Sequence, residues 1–151
     1  MNLKVHILLP LLLLAACVRP SSDEIFVKCA DRDERGRFCY VLDMDDSLCA
    51  YTLTLSALWD INDRQMDRLP EVKLGVRMVS PEGEAVESSL VLTGEDIVQR
   101  DFFSKYMEKD ITEDFRPRDH GKWQLYLAPE DGTRLPEGFG IRLKRKWDTE
   151  N

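Results

Sequence analysis

Apolar and polar side chains alternate with a period of two along most of this chain. The clearest run covers residues 51–59, where apolar and small polar residues alternate almost without error. Shorter runs of the same kind cover residues 72–78, 123–127 and 139–143. Because successive side chains of a β-strand point to opposite faces, this pattern predicts strands that each bury one face against a core.

Turn signals add further strands to this set. Residues 25–29 and 37–42 are predicted as two strands joined by a polar turn at 31–36, and a Ser80-Pro81-Glu82-Gly83 turn leads into a strand at 86–92. The pattern as a whole gives seven short strands separated by polar turns. We therefore predict a mainly β fold, an antiparallel β-sandwich of the jelly-roll or immunoglobulin-like type.

The segment from 93 to 119 departs from this rhythm. Thr93 and Asp96 have the spacing of a helix capping box, and Val98, Phe102 and Tyr106 follow at intervals of four residues. We predict one short helix inserted near 94–109. If Phe102, Phe103 and Tyr106 are exposed, they would form a platform for a ligand. We favour the alternative, a helix that plugs one open end of the sandwich.

The N-terminus has the pattern of an export signal. Lys4 precedes an apolar run that ends at Leu14, and Ala15 and Ala16 stand directly before Cys17. This arrangement resembles a bacterial lipoprotein signal with its lipobox, which implies cleavage before Cys17 and acylation of that cysteine. The alternative is an ordinary secretory signal that ends near a cysteine. The apolar run is shorter than the roughly 20 residues that a spanning helix needs.

The predicted domain organisation follows from this signal. Residues 1–16 form the lipoprotein signal peptide, 17–24 a lipid-anchored tether, 25–147 a single β-sandwich domain and 148–151 a C-terminal tail. The tether contains Pro20 and an acidic patch at 21–24. That patch resembles signals that send some lipoproteins of Bacteroidetes-type bacteria to the cell surface, and a solvated linker is the alternative. We expect a cell-envelope protein at the outer membrane, on either its periplasmic or its surface face.

The charge balance disfavours two classes of binding partner, nucleic acids and anionic lipids. The chain has 21 basic and 28 acidic residues and a formal net charge of -7. Nucleic-acid binding is driven by Lys and Arg neutralising phosphates, so we do not expect an acidic chain without a basic run to bind nucleic acid. The same charge disfavours adhesion to anionic lipids. Membrane attachment is therefore expected to depend on the acyl chains of Cys17.

Beyond the lipobox the chain has three cysteines, Cys29, Cys39 and Cys49. Disulfides persist in export compartments. Cys29 and Cys39 are symmetric about Glu34 in one predicted hairpin, and Cys39 and Cys49 are symmetric about Met44 in the next. A disulfide between either pair would leave one free thiol, and three small buried thiols are the alternative.

Neither the cysteines nor the acidic clusters predict a metal site. A zinc site would need CxxC spacing or a histidine pair, and the chain has neither. Residues 31–36 begin like an EF-hand loop, but Arg35 occupies a ligand position and Leu42 stands where the bidentate glutamate is needed. Asp43, Asp45 and Asp46 are explained equally well by a turn.

Catalytic chemistry has little support in the sequence. His120 is the one histidine that remains after signal cleavage, and it lies in a polar turn at 118–121. No Ser-His-Asp arrangement can be proposed around it. We therefore expect neither an enzyme nor a bound cofactor.

The last predicted strand has an apolar and a basic side. Ile141, Leu143 and Trp147 lie on one side and Arg142, Lys144 and Lys146 on the other, while Arg145 interrupts the apolar side. We call Arg142, Lys144 and Lys146 the basic ladder. One interpretation is that it binds an anionic partner. We favour the other, that it protects an edge strand against aggregation.

Four short motifs lie along residues 38–146. They are Tyr-x-Leu-x-Leu at 51–55, an Arg-bearing strand ending in Ser-Pro-x-Gly at 77–83, Gly-x-Trp-x-Leu at 121–125 and Gly-Ile-x-Leu at 140–143. Together they resemble the GldH-type gliding-motility lipoproteins of Bacteroidetes, from which the acidic inserted segment and the extra cysteines depart. The resemblance implies a noncatalytic accessory of gliding-motility or type IX secretion machinery.

Two functions are therefore expected as alternatives. The first is a noncatalytic, lipid-anchored module that binds envelope protein partners. The second is a surface lipoprotein that binds a glycan or another small ligand through aromatic residues. The candidate contact residues for a ligand or partner are Trp59, Tyr106, Trp123 and Trp147.

Overall fold

The computed structural model describes residues 21–148. The predicted signal peptide, Cys17 with its predicted acylation, the first half of the predicted tether (17–20) and residues 149–151 of the predicted tail lie outside the described residues. Within the described range, no helix has the length and apolar character needed to cross a membrane.

Nine strands and one short helix make up the described chain. The strands are β1 (Ser22–Lys28), β2 (Phe38–Met44), β3 (Cys49–Asp60), β4 (Val72–Val79), β5 (Ala85–Leu92), β6 (Ile97–Arg100), β7 (Ser104–Phe115), β8 (Gly121–Pro129) and β9 (Gly138–Trp147). The helix, α1, covers Asp63–Met66, and two short 3-10 turns cover Cys29–Asp31 and Gly94–Asp96.

The strands form two antiparallel sheets that pack face to face. Sheet A has five strands in the order β1-β9-β3-β7-β6, and sheet B has four in the order β2-β8-β4-β5. The predicted mainly β fold with two antiparallel sheets is confirmed. Most connections cross from one sheet to the other, and the strand order is that of a jelly roll with β6 added beside β7.

Strand β3 lies inside sheet A, paired with β9 on one edge and with β7 on the other. Its inward side chains Tyr51, Leu53, Leu55, Ala57 and Trp59 are at most 1% exposed. They pack against the apolar inner faces of β2, β4 and β8. Each buried side chain of leucine size stabilises the fold by about 1.5 to 3 kcal/mol relative to exposure. The alternation at 51–59 therefore does mark a strand that packs one face on the core. On its other face Thr54 and Ser56 are buried as well, at 8% and 2% exposed.

The two hairpins predicted around the first cysteines are wrong. Strand β1 pairs with β9 and β2 pairs with β8, so the strands that flank the 31–36 turn lie in different sheets. Strands β2 and β3 also lie in different sheets. A turn signal fixes where the chain reverses, whereas the pairing partner depends on which sheet edge is complementary.

The predicted helix near 94–109 is wrong. The capping box does form, with the Thr93 N–H donating to the Asp96 carboxylate at 2.8 Å, but it closes only the 3-10 turn Gly94–Asp96. Strands β6 and β7 follow it. Lys105 and Met107 both face inward and are 0% exposed, in the period of a strand. Pairing of β7 with a free edge of β3 outweighs the local helical pattern.

Two further predictions are wrong: the end of the tether and the position of the last strand at a sheet edge. Strand β1 begins at Ser22, inside the predicted tether, and Ser22 pairs with Lys144. Strand β9 lies between β1 and β3, so its basic ladder protects no sheet edge. Arg142 forms an ion pair with Glu108 at 2.9 Å, and Arg145 is 3% exposed.

Two strand glycines provide a test of the β1–β9 pairing. A Cβ at Gly138 would lie 2.5 Å from the Val27 carbonyl oxygen, whereas a Cβ at Gly75 would lie 3.6 Å from the Ala128 carbonyl oxygen, an ordinary contact. We expect Gly138→Ala to lower the free energy of unfolding by about 1 to 3 kcal/mol. We expect Gly75→Ala to change it by less than about 0.5 kcal/mol. Urea unfolding followed by tryptophan fluorescence measures both, and equal effects would contradict the close approach.

Candidate functional site

The four aromatic residues predicted as contacts do not meet in the structure. Trp59 and Trp123 are 1% and 5% exposed and belong to the core. Tyr106 is half-buried on the outer face of sheet A. Trp147 is 40% exposed near the other end of that sheet, where its Nε1 donates to the Asp46 carboxylate at 2.9 Å. These residues therefore form no common aromatic surface.

A different aromatic pair is exposed. Phe102 and Phe103 lie in the turn between β6 and β7 and are 75% and 68% exposed. Their rings contact each other edge to face, with the centroids 4.6 Å apart. We call this pair the phenylalanine tip. Adjacent exposed phenylalanines are costly in water, and such apolar patches typically mark interaction sites.

A buried lysine fixes the base of the phenylalanine tip. The Lys105 side chain is fully buried, and its Nζ donates to the Asp101 carbonyl at 2.6 Å and to the Ile61 carbonyl at 3.5 Å. The same Nζ lies 3.1 Å from the Asp63 carboxylate. These contacts join the β6–β7 turn to the β3–α1 connection. The phenylalanine rings therefore extend from a braced base.

Helix α1 forms a second wall beside the phenylalanine tip. A hollow of about 360 Å³ lies between the two rings and the residues Asn62, Asp63 and Arg64. Asn62 and Gln65 form a reciprocal capping box, each side chain bonded to the other's backbone N–H at 3.0 Å. This cap gives a very short helix a defined start. The tip thus combines apolar rings with a polar rim of mixed charge.

The phenylalanine tip lies at the end of sheet A opposite the start of the described chain. Ser22 pairs with Lys144, which in turn pairs with Thr52 of β3. At the other end of β3, Asp60 pairs with Ser104, directly after the tip. Eight residues of extended strand separate Thr52 from Asp60, a length of about 27 Å.

Other residues singled out from the sequence lie elsewhere. Tyr106, the third member of the predicted platform, donates its hydroxyl to the Glu24 carboxylate at 3.4 Å. Partial burial is the main cause that raises the pKa of Tyr106, so the phenol stays protonated at neutral pH. His120 is exposed in the loop before β8.

Cys29, Cys39 and Cys49 are free thiols in this structure. Because the strands that flank them do not pair with one another, the hairpin geometry predicted for a disulfide is absent. Cys39 is exposed, and its Sγ lies 3.6 Å from the Asp33 carboxylate. Although the residue is exposed overall, partial desolvation of its thiol group is the main cause that raises the pKa of Cys39, followed by this hydrogen bond. A raised thiol pKa lowers the thiolate fraction and hence the reactivity of the cysteine.

The acidic clusters are used within turns and ion pairs. The Asp33 carboxylate accepts backbone N–H bonds from Arg37 at 2.8 Å and from Arg35 at 3.0 Å, and the bond from Arg37 contributes most to the lowered pKa of Asp33. Asp43 pairs with Lys122 at 2.9 Å. Between residues 21 and 148, no group of three or more His, Cys, Asp or Glu side chains is placed to hold a metal ion.

The sequence contained a partial signal for the phenylalanine tip. Two consecutive phenylalanines between Asp101 and Ser104 cannot both face the core of a strand, because successive side chains alternate. A strand assignment for this segment would have required at least one exposed ring, but the predicted helix concealed this signal. Lys105 had no such signal, since its burial depends on carbonyl groups from two distant connections.

Comparisons with known proteins give little further information. No protein-family model matches the chain, and no match was found among curated proteins. Among solved structures, the enzymatically active domain of tailspike protein 4 from bacteriophage CBA120 aligns with 86% of this chain and 18% of its own chain. The identity is 10% and the TM-score 0.35. This chain therefore corresponds to less than a fifth of that protein's length.

Lys105→Met tests the bracing of the phenylalanine tip. The substitution keeps most of the side-chain volume but leaves the Asp101 and Ile61 carbonyls without their donor. We expect a loss of about 1 to 3 kcal/mol in the free energy of unfolding and faster amide hydrogen exchange in the β6–β7 turn. Lys144→Met, at an exposed position, should change neither quantity. A tip that exchanges at the same rate in both variants would contradict the bracing role.

Proposed function

We propose that this chain is a noncatalytic, lipid-anchored module that binds a protein partner in the cell envelope through the phenylalanine tip. The observation that supports this most directly is the exposure of Phe102 and Phe103 on a braced base. Rigid aromatic side chains that bury their area on binding are typical of interface hot spots.

The direction of the phenylalanine tip agrees with an N-terminal anchor. Strand β1 starts at Ser22, five residues after Cys17, a span of at most about 17 Å. Acyl chains on Cys17 would hold this end of the sandwich close to a bilayer. The tip, at the opposite end of sheet A, would then face away from the membrane and toward other envelope proteins.

The resemblance to GldH-type lipoproteins suggests which assembly to examine first. Its short motifs at 51–55, 121–125 and 140–143 fall on strands β3, β8 and β9, and the motif at 77–83 covers the end of β4 and the turn that follows it. A gliding-motility or type IX secretion complex is therefore the assembly in which we would look for the partner. The tip itself lies outside these motifs.

The glycan-binding alternative gains no support from the placement of its proposed contacts. Trp59 and Trp123 are core residues, and Tyr106 and Trp147 lie apart on sheet A. Stacking on a sugar requires exposed aromatic faces that lie close together.

Cys17→Ser tests the anchor. We expect the wild-type chain to incorporate labelled fatty acid and to sediment with membranes, because acyl chains supply the membrane affinity. The variant should lose the label and appear in the soluble fraction. Cys39→Ser, at an exposed cysteine of the domain, should keep both properties. Membrane sedimentation of unlabelled Cys17→Ser would overturn lipid anchoring.

The phenylalanine tip is tested by the double variant Phe102→Ser, Phe103→Ser. Both side chains are mostly exposed, so we expect the free energy of unfolding to stay within about 0.5 kcal/mol of wild type. Leu48→Ser is a matched control, because Leu48 is 74% exposed but lies in the β2–β3 connection.

Mild cross-linking in cells provides the measurement for these variants. We expect wild type and Leu48→Ser to yield the same cross-linked complex and the double variant to lose it. If wild type, Leu48→Ser and the double variant all give the same complex, the phenylalanine tip is not the contact. If wild type yields only the monomer, the interaction module itself is refuted.

A further inference from the structure

The two edges of sheet A are protected against pairing with another chain. Strand β1 is charged at three of its seven positions, at Asp23, Glu24 and Lys28. Strand β6 has only four residues and an irregular register between Ile97 and Gln99. Charges, short length and irregular register all discourage the addition of a further strand.

The β2 edge of sheet B is also protected. At its start, the Arg37 N–H donates to the Asp33 carboxylate at 2.8 Å, and the Arg37 carbonyl accepts from the Asp33 N–H at 2.9 Å. At its end, the Asp43 carbonyl accepts from Arg145 at 3.2 Å. Only a short stretch around Cys39 and Val41 remains between these contacts.

The β5 edge of sheet B is protected only at its C-terminal end. The Lys109 ammonium, which comes from sheet A, donates to the Val91 carbonyl at 2.7 Å. The N–H and C=O of one strand residue point to the same side, and that side alternates along the strand. Because Val91 faces the free side, Ala85, Glu87 and Ser89 face it as well. No hydrogen bond from elsewhere in residues 21–148 reaches the backbone of those three residues on that side.

We call residues 85–89 the free edge. All five of its residues are exposed, and it contains one charged side chain, that of Glu87. It has no proline, no lysine and no register irregularity along its pairing with β4. Among the four sheet edges of the described chain, it alone combines a single charged side chain with three successive outward-facing residues that lack a backbone hydrogen bond.

A hollow with an apolar part adjoins the inner side of the free edge. Val86 points to the same face as the core residue Leu92, yet it is 57% exposed, because sheet A does not cover this end of β5. A hollow of about 300 Å³ is lined by four apolar residues, Val86, Phe115, Pro117 and Trp123, and by four charged residues, Glu84, Arg116, Arg118 and Asp119. Phe115 and Trp123 meet edge to face, with centroids 5.5 Å apart. A side chain from a neighbouring strand would face this hollow.

The charge of the free edge argues against a second copy of this chain. Antiparallel pairing of two copies, centred on the free edge, would place Glu87 directly opposite Glu87. Like charges in directly opposite positions destabilise a strand pair. A segment with a neutral or basic residue at that position would avoid this repulsion.

We propose that the free edge binds an extended segment of a partner protein as an added strand. Backbone hydrogen bonds to Ala85, Glu87 and Ser89 would supply affinity. One apolar side chain of the segment would occupy the hollow between Val86, Phe115 and Trp123 and supply specificity. This division is characteristic of recognition by strand addition. The inference depends on neither the lipid anchor nor the phenylalanine tip.

Peptide selection tests this proposal. Short random peptides displayed on phage are selected against the full chain in detergent micelles, and enriched peptides are synthesised for affinity and amide hydrogen exchange measurements. We expect binding to protect the amides of Ala85, Glu87 and Ser89. Glu87→Pro removes the central donor of the free edge, but the pairing with β4 keeps its own hydrogen bonds. We expect it to weaken binding by about tenfold or more.

A pair of valines provides the matched control for the hollow. Val86 and Val41 are 57% and 56% exposed on the two edge strands of sheet B. Val86→Arg should weaken peptide binding by about tenfold, because it places a charge at the apolar part of the hollow. Val41→Arg should keep the affinity within about twofold. Thermal unfolding of each variant verifies that the fold is intact.

Three outcomes would overturn the proposal. The first is that no peptide is enriched. The second is that the enriched peptides bind wild type, Glu87→Pro and Val86→Arg equally well. The third is that the amides of the free edge are protected without peptide in a manner that rises with protein concentration. That result would identify a second copy of the chain as the occupant.

Discussion

Two buried cations close the ends of the sandwich core, and the positions of the connections at both ends depend on them. Lys105 faces inward opposite Trp59, and Arg145 faces inward opposite Tyr51, eight residues earlier on the same strand β3. A charge removed from water is costly unless it is paired and hydrogen-bonded. Each cation therefore has carbonyl and carboxylate partners from other elements: Ile61, Asp101 and Asp63 for Lys105, and Asp43 and Asp23 for Arg145.

The two cations have different consequences for function. Arg145 binds the Asp23 carboxylate at 2.8 Å and so attaches the start of β1 to the core, close to the proposed lipid anchor. Lys105 holds the β6–β7 turn against the β3–α1 connection, so the phenylalanine tip extends from a fixed base at the opposite end. In the proposed arrangement, with the Ser22 end held near a membrane and the other end braced, the sandwich would act as a rigid spacer. An aromatic contact on a rigid spacer loses little conformational entropy on binding.

The two proposed surfaces differ in physical character. The phenylalanine tip offers apolar area at the end of sheet A, whereas the free edge offers backbone hydrogen bonds along the side of sheet B with a partly apolar hollow beside it. The tip would recognise a concave apolar site, and the free edge would recognise an extended segment. Because they lie on different parts of the sandwich, one assembly would be able to contact both at once.

The sequence by itself determined the local features of this protein. Alternation over 51–59, 72–78 and 123–127 identified strands that bury one face, since that period depends only on backbone geometry within each strand. The residue types and their spacing also located the Ser80-Gly83 turn and the Thr93 capping box. The tertiary structure alone decided which strands pair, that the segment near 94–109 forms strands, and that Lys105 and Arg145 are buried. These outcomes depend on sheet edges and carbonyl groups contributed by residues far apart in the chain, to which no local pattern is sensitive.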